Sequence, residues 1–317
     1  MTTYSSTPFP PRKILPYEDS LIVIGVDGQL ATIDCESLEQ KGGVVQPFPS
    51  PIEDATIVEN KLIATWVLPE LSLARMAALP LNKEFTNGID KSLLRVKQNR
   101  RGQDVPVAGA DWSHSLDAEP LGITSHEGLI CFANYNRGVY CIDSDSREIW
   151  RIKEIKWLSQ KHIEDASVIH AVTTGPHPSN KNEQSVWLWG HGSGWVALEW
   201  DTGEIIAQGT LENKGILDQV RTDQQGGWLI GFESGEIIKW DPENNSEEKI
   251  EGGPFCDAIF SKGVWDILGW RENITWNGNQ VSKTPRKNLG VSLLNHEKFG
   301  LLALNNSGEW VAFSHSC

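Results

Sequence analysis

SVWLWGHGSGWVALEWDTGEIIAQ (185–208) and GWLIGFESGEIIKWDPENNSEEKI (227–250) are two copies of one pattern. Each runs strand, glycine-containing turn, strand ending in Trp-Asp, polar turn, strand. Val186 and Leu188 before the first turn, and Val196, Leu198 and Trp200 after it, alternate with their neighbours. That period of two marks strands with one face buried. The copies lie about forty residues apart, a spacing typical of stacked units that cannot bury a face alone, as in a solenoid or a propeller.

Turn glycines recur at Gly28, Gly138, Gly194, Gly235 and Gly308. A pair follows each: Ile33-Asp34, Ile142-Asp143, Trp200-Asp201, Trp240-Asp241 and, less well kept, Phe313-Ser314. The large apolar member is placed to pack between neighbouring sheets, and the Asp is first of all a turn former that accepts backbone N–H groups. The interval from Gly235 to Gly308 is too long for one copy. It contains KGVWDILGWRENITWNGNQVSK, which turns at Arg271-Glu272-Asn273 and carries Trp276-Asn277 in the Trp-Asp position. Between Gly28 and Gly138, ENKLIATWVLPELSLARMAAL alternates on both sides of Pro69-Glu70.

Seven copies of about 45 residues each have the size of four-stranded propeller blades. The expected fold is therefore all-β, a seven-bladed β-propeller of antiparallel four-stranded blades at 10–48, 53–97, 119–153, 167–210, 216–251, 256–284 and 290–317. It forms a single domain over 1–317. The last blade ends after a third strand at 309–313, and an open edge there would invite mispairing. Residues 2–8 are accordingly expected to supply its outer strand and close the ring.

The fourteen tryptophans fall mostly at alternating strand positions and are assigned to packing between blades. A net charge of −14 argues against non-specific binding to nucleic acid or anionic membrane. The N-terminal MTTYSSTPFPPRKIL lacks the apolar core of a signal peptide, and no run of 18 apolar residues exists, so a soluble cytoplasmic protein is expected. Cys35, Cys131, Cys141, Cys256 and Cys317 show no metal-ligand spacing. Cys131 and Cys141 are candidate neighbours across a hairpin near Asn136, expected as free buried thiols.

The copies resemble those of the WD-repeat family, carried by VTTGPHPSNKNEQSVWLWGHGSGWVALEWDTGEIIAQ with its His-Pro turn, glycine turn, Trp-Asp and Thr-Gly-Glu order. VYCIDSDSREIWRI looks instead like a pyrroloquinoline-quinone-type repeat. The resemblance covers 121–317 well, 20–48 fairly and 53–118 poorly. Gly190-His191 stands too close to Trp200-Asp201 to be the WD family's opening Gly-His, so the buried His-Asp network of that family is not carried over. The quinone-enzyme reading lacks an adjacent cysteine pair and the chain length for eight larger blades. Family membership implies a binding platform, and function still has to come from a site.

Propeller ligands bind at the channel mouth, on loops joining the second strand to the third and the outer strand to the next blade. Those loops hold Tyr135, Arg137, His191, Glu233, Arg271 and Asn305-Asn306. The stretch 98–118, QNRRGQDVPVAGADWSHSLDA, is expected as a loop insertion. With Arg95 and Lys97 just before it, Arg100 and Arg101 complete the densest basic cluster, and Trp112 and His114 follow. The sharper alternative to a solvated insertion is docking of an acidic or phosphorylated protein segment, with Arg forks on the anion and Trp112 as apolar anchor. A shorter insert at 154–166 offers Trp157 and His162 near the mouth.

Asp111 with His114, and His126 with Glu127, are the close His–carboxylate pairs of note. No GxSxG, HExxH, Walker or GxGxxG motif accompanies them. The expected function is a noncatalytic protein-interaction scaffold without cofactor, metal or catalytic residue. The alternative is a propeller enzyme, a metal-dependent lactonase or sugar-processing hydrolase, whose oxygens would converge in the channel.

Overall fold

The computed structural model describes residues 3–98, 104–158, 167–212 and 215–314. Seven four-stranded antiparallel sheets take the blades in sequence order: 11–45, 52–116, 120–152, 169–210, 217–250, 255–285, and 290–312 completed by Thr3–Ser6. Each inner strand touches the inner strands of both neighbouring blades, including blade 7 against blade 1, so the ring is closed. Closure is by the N-terminal strand as expected: Thr3 faces Val311, Ser5 faces Trp310 and Ser6 faces Glu309.

Alternation explains why the strands of each blade carry apolar residues on both faces. In the second and third strands of blade 4, Val186 opposes Leu198 and Leu188 opposes Val196, and these four pack toward blade 3. Their neighbours Trp187 and Trp189, opposite Ala197 and Trp195, face blade 5. Every blade does the same, and the buried residues fall into seven clusters, one for each wedge between neighbouring blades. The wedge between blades 4 and 5 holds Trp187, Trp189, Trp195, Trp228 and Trp240. Gly175 and Gly209 make room for it, since a Cβ at either would stand 2.4 Å from Trp228 Cη2 or 2.6 Å from Trp195 Cζ2.

The turn-forming role of the repeat's acids holds at Asp34, Asp143 and Asp241, whereas in the turn after Trp200 it is Thr202 Oγ1, not Asp201, that accepts the N–H of Glu204. Asp34 accepts the N–H groups of Glu36 and Ser37, Asp143 those of Asp145 and Arg147, and Asp241 that of Glu243. In the degenerate copy Asn277 does the same for Asn279 and Gln280. Cys131 and Cys141 are directly opposite in register, buried and free. Burial pushes the Cys141 thiol up to about 12. Among the described residues no helix is long and apolar enough to cross a membrane.

Blade 2 departs from the expected layout. Its outer strand is Trp112–Leu116, with Trp112 opposite Ala78, His114 opposite Met76 and Leu116 opposite Ala74. Trp112 and His114 therefore belong to a sheet and not to an insertion loop. The long excursion is the connection over 81–111, which carries the helix Lys91–Gln98. Leu94 of that helix, and Val105 and Val107 further along, are buried in the wedge between blades 1 and 2 with Phe48 and Trp66. Arg75, 2% exposed, is held there by Asp104, Ser115 and the Val105 carbonyl. WSHSL lacks the glycine-turn and Trp-Asp marks of the repeat, and its short period of two follows directly on a polar, Pro- and Gly-containing segment.

Candidate functional site: the channel mouth

The same irregularity occurs at the start of all seven inner strands. The register slips between Pro11 and Lys13, Ile52 and Asp54, Pro120 and Gly122, Ile169 and Ala171, Leu217 and Gln219, Phe255 and Asp257, and Gly290 and Ser292. Each slip places two residues against one on the second strand. Such bulges re-aim the extra side chain and gather at barrel rims and binding sites. The extra residues are Arg12, Glu53, Leu121, His170, Asp218, Cys256 and Val291, and all seven line a central cavity of about 610 Å³.

Below this ring two aspartates strap neighbouring blades together, and they occupy equivalent places. Asp54 of blade 2 accepts Lys13 Nζ of blade 1 at 2.6 Å, its neighbour Ala55 N at 2.8 Å and Ile123 N of blade 3 at 3.1 Å. Asp257 of blade 6 accepts Arg221 Nε of blade 5 at 2.8 Å, Ala258 N at 3.0 Å, and Ser292 Oγ and Leu293 N of blade 7 at 2.9 and 2.8 Å. Each carboxylate joins three blades. Asp257→Ala leaves a half-buried guanidinium and two backbone N–H groups without their acceptor. It is expected to lower stability by about 2–3 kcal/mol. Removing the more exposed Arg12–Glu53 pair should cost less than about 1 kcal/mol. Chemical denaturation of the two variants measures the difference, and equal midpoints would overturn the strap.

The remaining acid of the rim, Asp218, has no cation partner among the described residues, and loss of water around it holds its carboxyl above the usual range. His170 Nε2 lies 2.9 Å from the Asp218 carbonyl oxygen. Burial likewise raises the Cys256 thiol. Among the described residues no three His, Cys, Asp or Glu side chains form a group that could hold a metal ion. Glu53, Asp54 and Asp257 are each paired with a cation of the adjoining blade.

A second ring surrounds the first on the same face. In six blades the residue that begins the turn after the second strand donates its N–H to the connection entering that blade: Val26 to Pro10, Tyr135 to Glu119, His191 to Val168, Glu233 to Ile216, Trp270 to Pro254 and Asn306 to Leu289. These backbone bonds fix six side chains around the mouth. Val26, Tyr135 and Trp270 are 44%, 41% and 56% exposed, Trp270 being the most exposed large apolar residue described. Arg137 and Arg271 stand beside the two aromatics, and Arg137 Nε reaches Asp117 at 3.0 Å.

Tyr135, Arg137, His191 and Arg271 thus lie together on the mouth face. Trp112 and His114 do not. They stack at 5.2 Å on the outer strand of blade 2 and bond to the blade 3 turn, Trp112 Nε1 to the Ser144 carbonyl at 3.0 Å and His114 Nε2 to Ser146 Oγ at 2.9 Å. Trp157 donates to the Ser167 carbonyl at 2.8 Å and packs on the wedge between blades 3 and 4. Arg100, Arg101 and His162 fall outside the described residues. His126 meets Glu127 at 3.8 Å in the turn between the first and second strands of blade 3, at the opposite end of the channel. Sequence reasoning missed Trp270 and Val26, although each directly follows a glycine at a strand end, as His191 does.

The molecule is a seven-bladed β-propeller with a charged channel and an aromatic-rimmed mouth. In fold it is similar to the β-propeller domain of Cps50 (Swd1) from Myceliophteria thermophila, with a TM-score of 0.64 at 13% identity over 98% of each chain. It is also similar to the WD40 β-propeller domain of Doa1, with a TM-score of 0.62 at 11% identity over 98% of this chain and 94% of that one. BamB from Moraxella catarrhalis follows with a TM-score of 0.56 at 10% identity, over 93% of this chain and 82% of that one. No family model and no curated protein matches the sequence. At such identities the likeness is one of fold.

Proposed function

We propose that this propeller is a noncatalytic interaction scaffold that docks an acidic or phosphorylated segment of a protein partner across the channel mouth. The observation that carries this is the pair of aromatic–arginine turns, Tyr135 with Arg137 and Trp270 with Arg271, in equivalent loops of blades 3 and 6. Exposed Trp, Tyr and Arg on a rigid scaffold are the residue types that dominate protein interfaces. The overall charge of −14 keeps nucleic acid and anionic membrane out of this role, and confines attraction for acidic groups to local basic sites. Arg100 and Arg101 are a second basic site for the same segment. The free, facing Cys131 and Cys141 support a reducing compartment such as the cytoplasm.

An array of acidic, phosphorylated and neutral peptides probed with the intact protein tests the proposal. The acidic or phosphorylated peptides should be retained over the neutral ones. Trp270→Ala should weaken them by roughly tenfold or more. Charge reversal of Arg100 and Arg101 together to Glu should weaken them further, most at low salt. The melting temperature of Trp270→Ala should hardly move, because so exposed a side chain contributes little to folding. Retention of neutral and acidic peptides alike would reject the proposal.

A further inference from the structure

Two arginines of the described chain are buried, and they differ in one respect. Arg75 meets an acid, a hydroxyl and two carbonyls. Arg286, 7% exposed, forms no ion pair with any described carboxylate, and its Nη1 has no hydrogen-bond partner. A guanidinium stays charged in proteins, and burying one without a counter-charge is unfavourable unless something else supplies the acceptor oxygens. Loss of water pulls its pKa down, and the titratable group it senses is the Cys256 thiol. That thiol is itself raised by burial, so it is neutral at pH 7 and no counter-ion.

The surroundings leave room for an outside group. Arg286 lines a cavity of about 480 Å³ between blades 6 and 7, with Lys287, Asn288, Asn305 and Glu309. A Cβ at Gly290 would stand 2.7 Å from Arg286 Nη1 and 2.5 Å from Leu268 Cγ, so only glycine at 290 lets the guanidinium lie there. Glu309, the acid of the cavity, accepts through Oε2 from Asn305 Nδ2 at 2.9 Å, Ser307 Oγ at 3.1 Å and Asn288 Nδ2 at 3.2 Å, and these bonds, with the nearby Lys287 ammonium, hold its carboxyl below the ordinary value. Lys287 is exposed at the edge. The backbone flanking the cavity is tied to the turn that carries the most exposed aromatic of the mouth, Arg286 N donating to the Arg271 carbonyl at 2.7 Å and Gly290 N to that of Trp270 at 3.3 Å.

We propose that the cavity between blades 6 and 7 is an oxyanion site in which the buried Arg286 fork and the Lys287 ammonium hold a phosphate monoester or carboxylate borne by the docked segment, with Trp270 covering the residues next to it. Placing the group on a docked segment rests on the mouth-face function above, while the anion site itself does not. A planar guanidinium presents paired N–H donors that match carboxylate and phosphate oxygens. The same burial that makes the empty state unfavourable strengthens the pairing once an anion enters.

The test measures thermal shifts of the intact protein with inorganic phosphate, a capped phosphoserine tripeptide and a capped glutamate tripeptide. It compares wild type with Arg286→Met, which keeps the stem and removes the charge, and Arg286→Lys, which keeps the charge without the fork. Phosphate should raise the wild-type melting temperature. Arg286→Met should lose that response, bind at least tenfold more weakly, and melt at or above wild type when no anion is present. Arg286→Lys should retain a reduced response. No response from wild type to any of the three probes, or equal responses from wild type and Arg286→Met, overturns the site. So does an Arg286→Met protein that melts well below wild type and is restored by Arg286→Lys, since the arginine is then structural. If phosphate acts through Arg286 and neither peptide binds, the oxyanion site stands and its occupant is a free anion. If the peptides bind wild type and Arg286→Met equally, the mouth-face function survives and the Arg286 assignment falls.

Discussion

Removing residues 2–8 is expected to lower the melting temperature by about 10 °C. The strand Thr3–Ser6 completes blade 7 against Glu309–Ala312, and beyond it Thr7 N donates to the Gly308 carbonyl at 2.7 Å. Ser5 Oγ bonds to the Leu38 carbonyl of blade 1 at 2.7 Å, and the Tyr4 ring lies 4.6 Å from that of Phe299. About five hydrogen bonds at ~1 kcal/mol each are lost, and a chain of this size shifts by roughly 2 °C per kcal/mol. Truncation also uncovers Trp310, which is fully buried in the intact ring, and leaves an unpaired strand edge. Such edges pair with other chains, so the truncated protein should elute partly as oligomers, and a synthetic peptide of residues 1–9 added in excess should reverse both effects. A melting curve indistinguishable from that of the full chain would mean that the ring is not held by this strand.

Much of this architecture is legible in the sequence because the repeat marks are local. A glycine turn followed by a large apolar residue and Asp fixes two strands and the polar turn after them, and Asp34, Asp143 and Asp241 cap those turns as expected. Blade 2 resists for the same reason, since WSHSL has neither mark and its partners Ala74, Met76 and Ala78 are brought to it by a connection of some thirty residues. The site is less legible. Tyr135, Arg137, His191 and Arg271 follow from counting turns. The bulge ring needs the register of seven strand pairs, which no single segment encodes. The isolation of Arg286 is a matter of absent partners. From sequence it is one basic residue beside Lys287, and only burial against Leu268 and Gly290 distinguishes it.

Trp187→Ala is expected to be the most damaging single substitution, at about 3–5 kcal/mol. The indole is fully buried in the wedge between blades 4 and 5, with ring centroids 5.0 Å from Trp228, 5.5 Å from Trp195, 5.8 Å from Trp189 and 6.1 Å from Trp240. Its Nε1 donates to the Pro176 carbonyl at 3.1 Å, an acceptor that Ala leaves unpaired. Four aromatic contacts add to the area term, and the cavity cannot collapse because its walls are indoles held by two different sheets. The neighbouring blades bury their apolar surface against each other in such wedges, so in a closed ring the damage is transmitted to the whole unfolding transition rather than confined to one blade. Trp187→Phe, which keeps a ring but not the full volume, should recover about half the loss. Trp270→Ala, at the exposed mouth, should stay within about 0.5 kcal/mol. Denaturant midpoints for the three variants decide the matter: a Trp187→Ala loss below about 1.5 kcal/mol would show that the indole cluster fills space without holding blades 4 and 5 together.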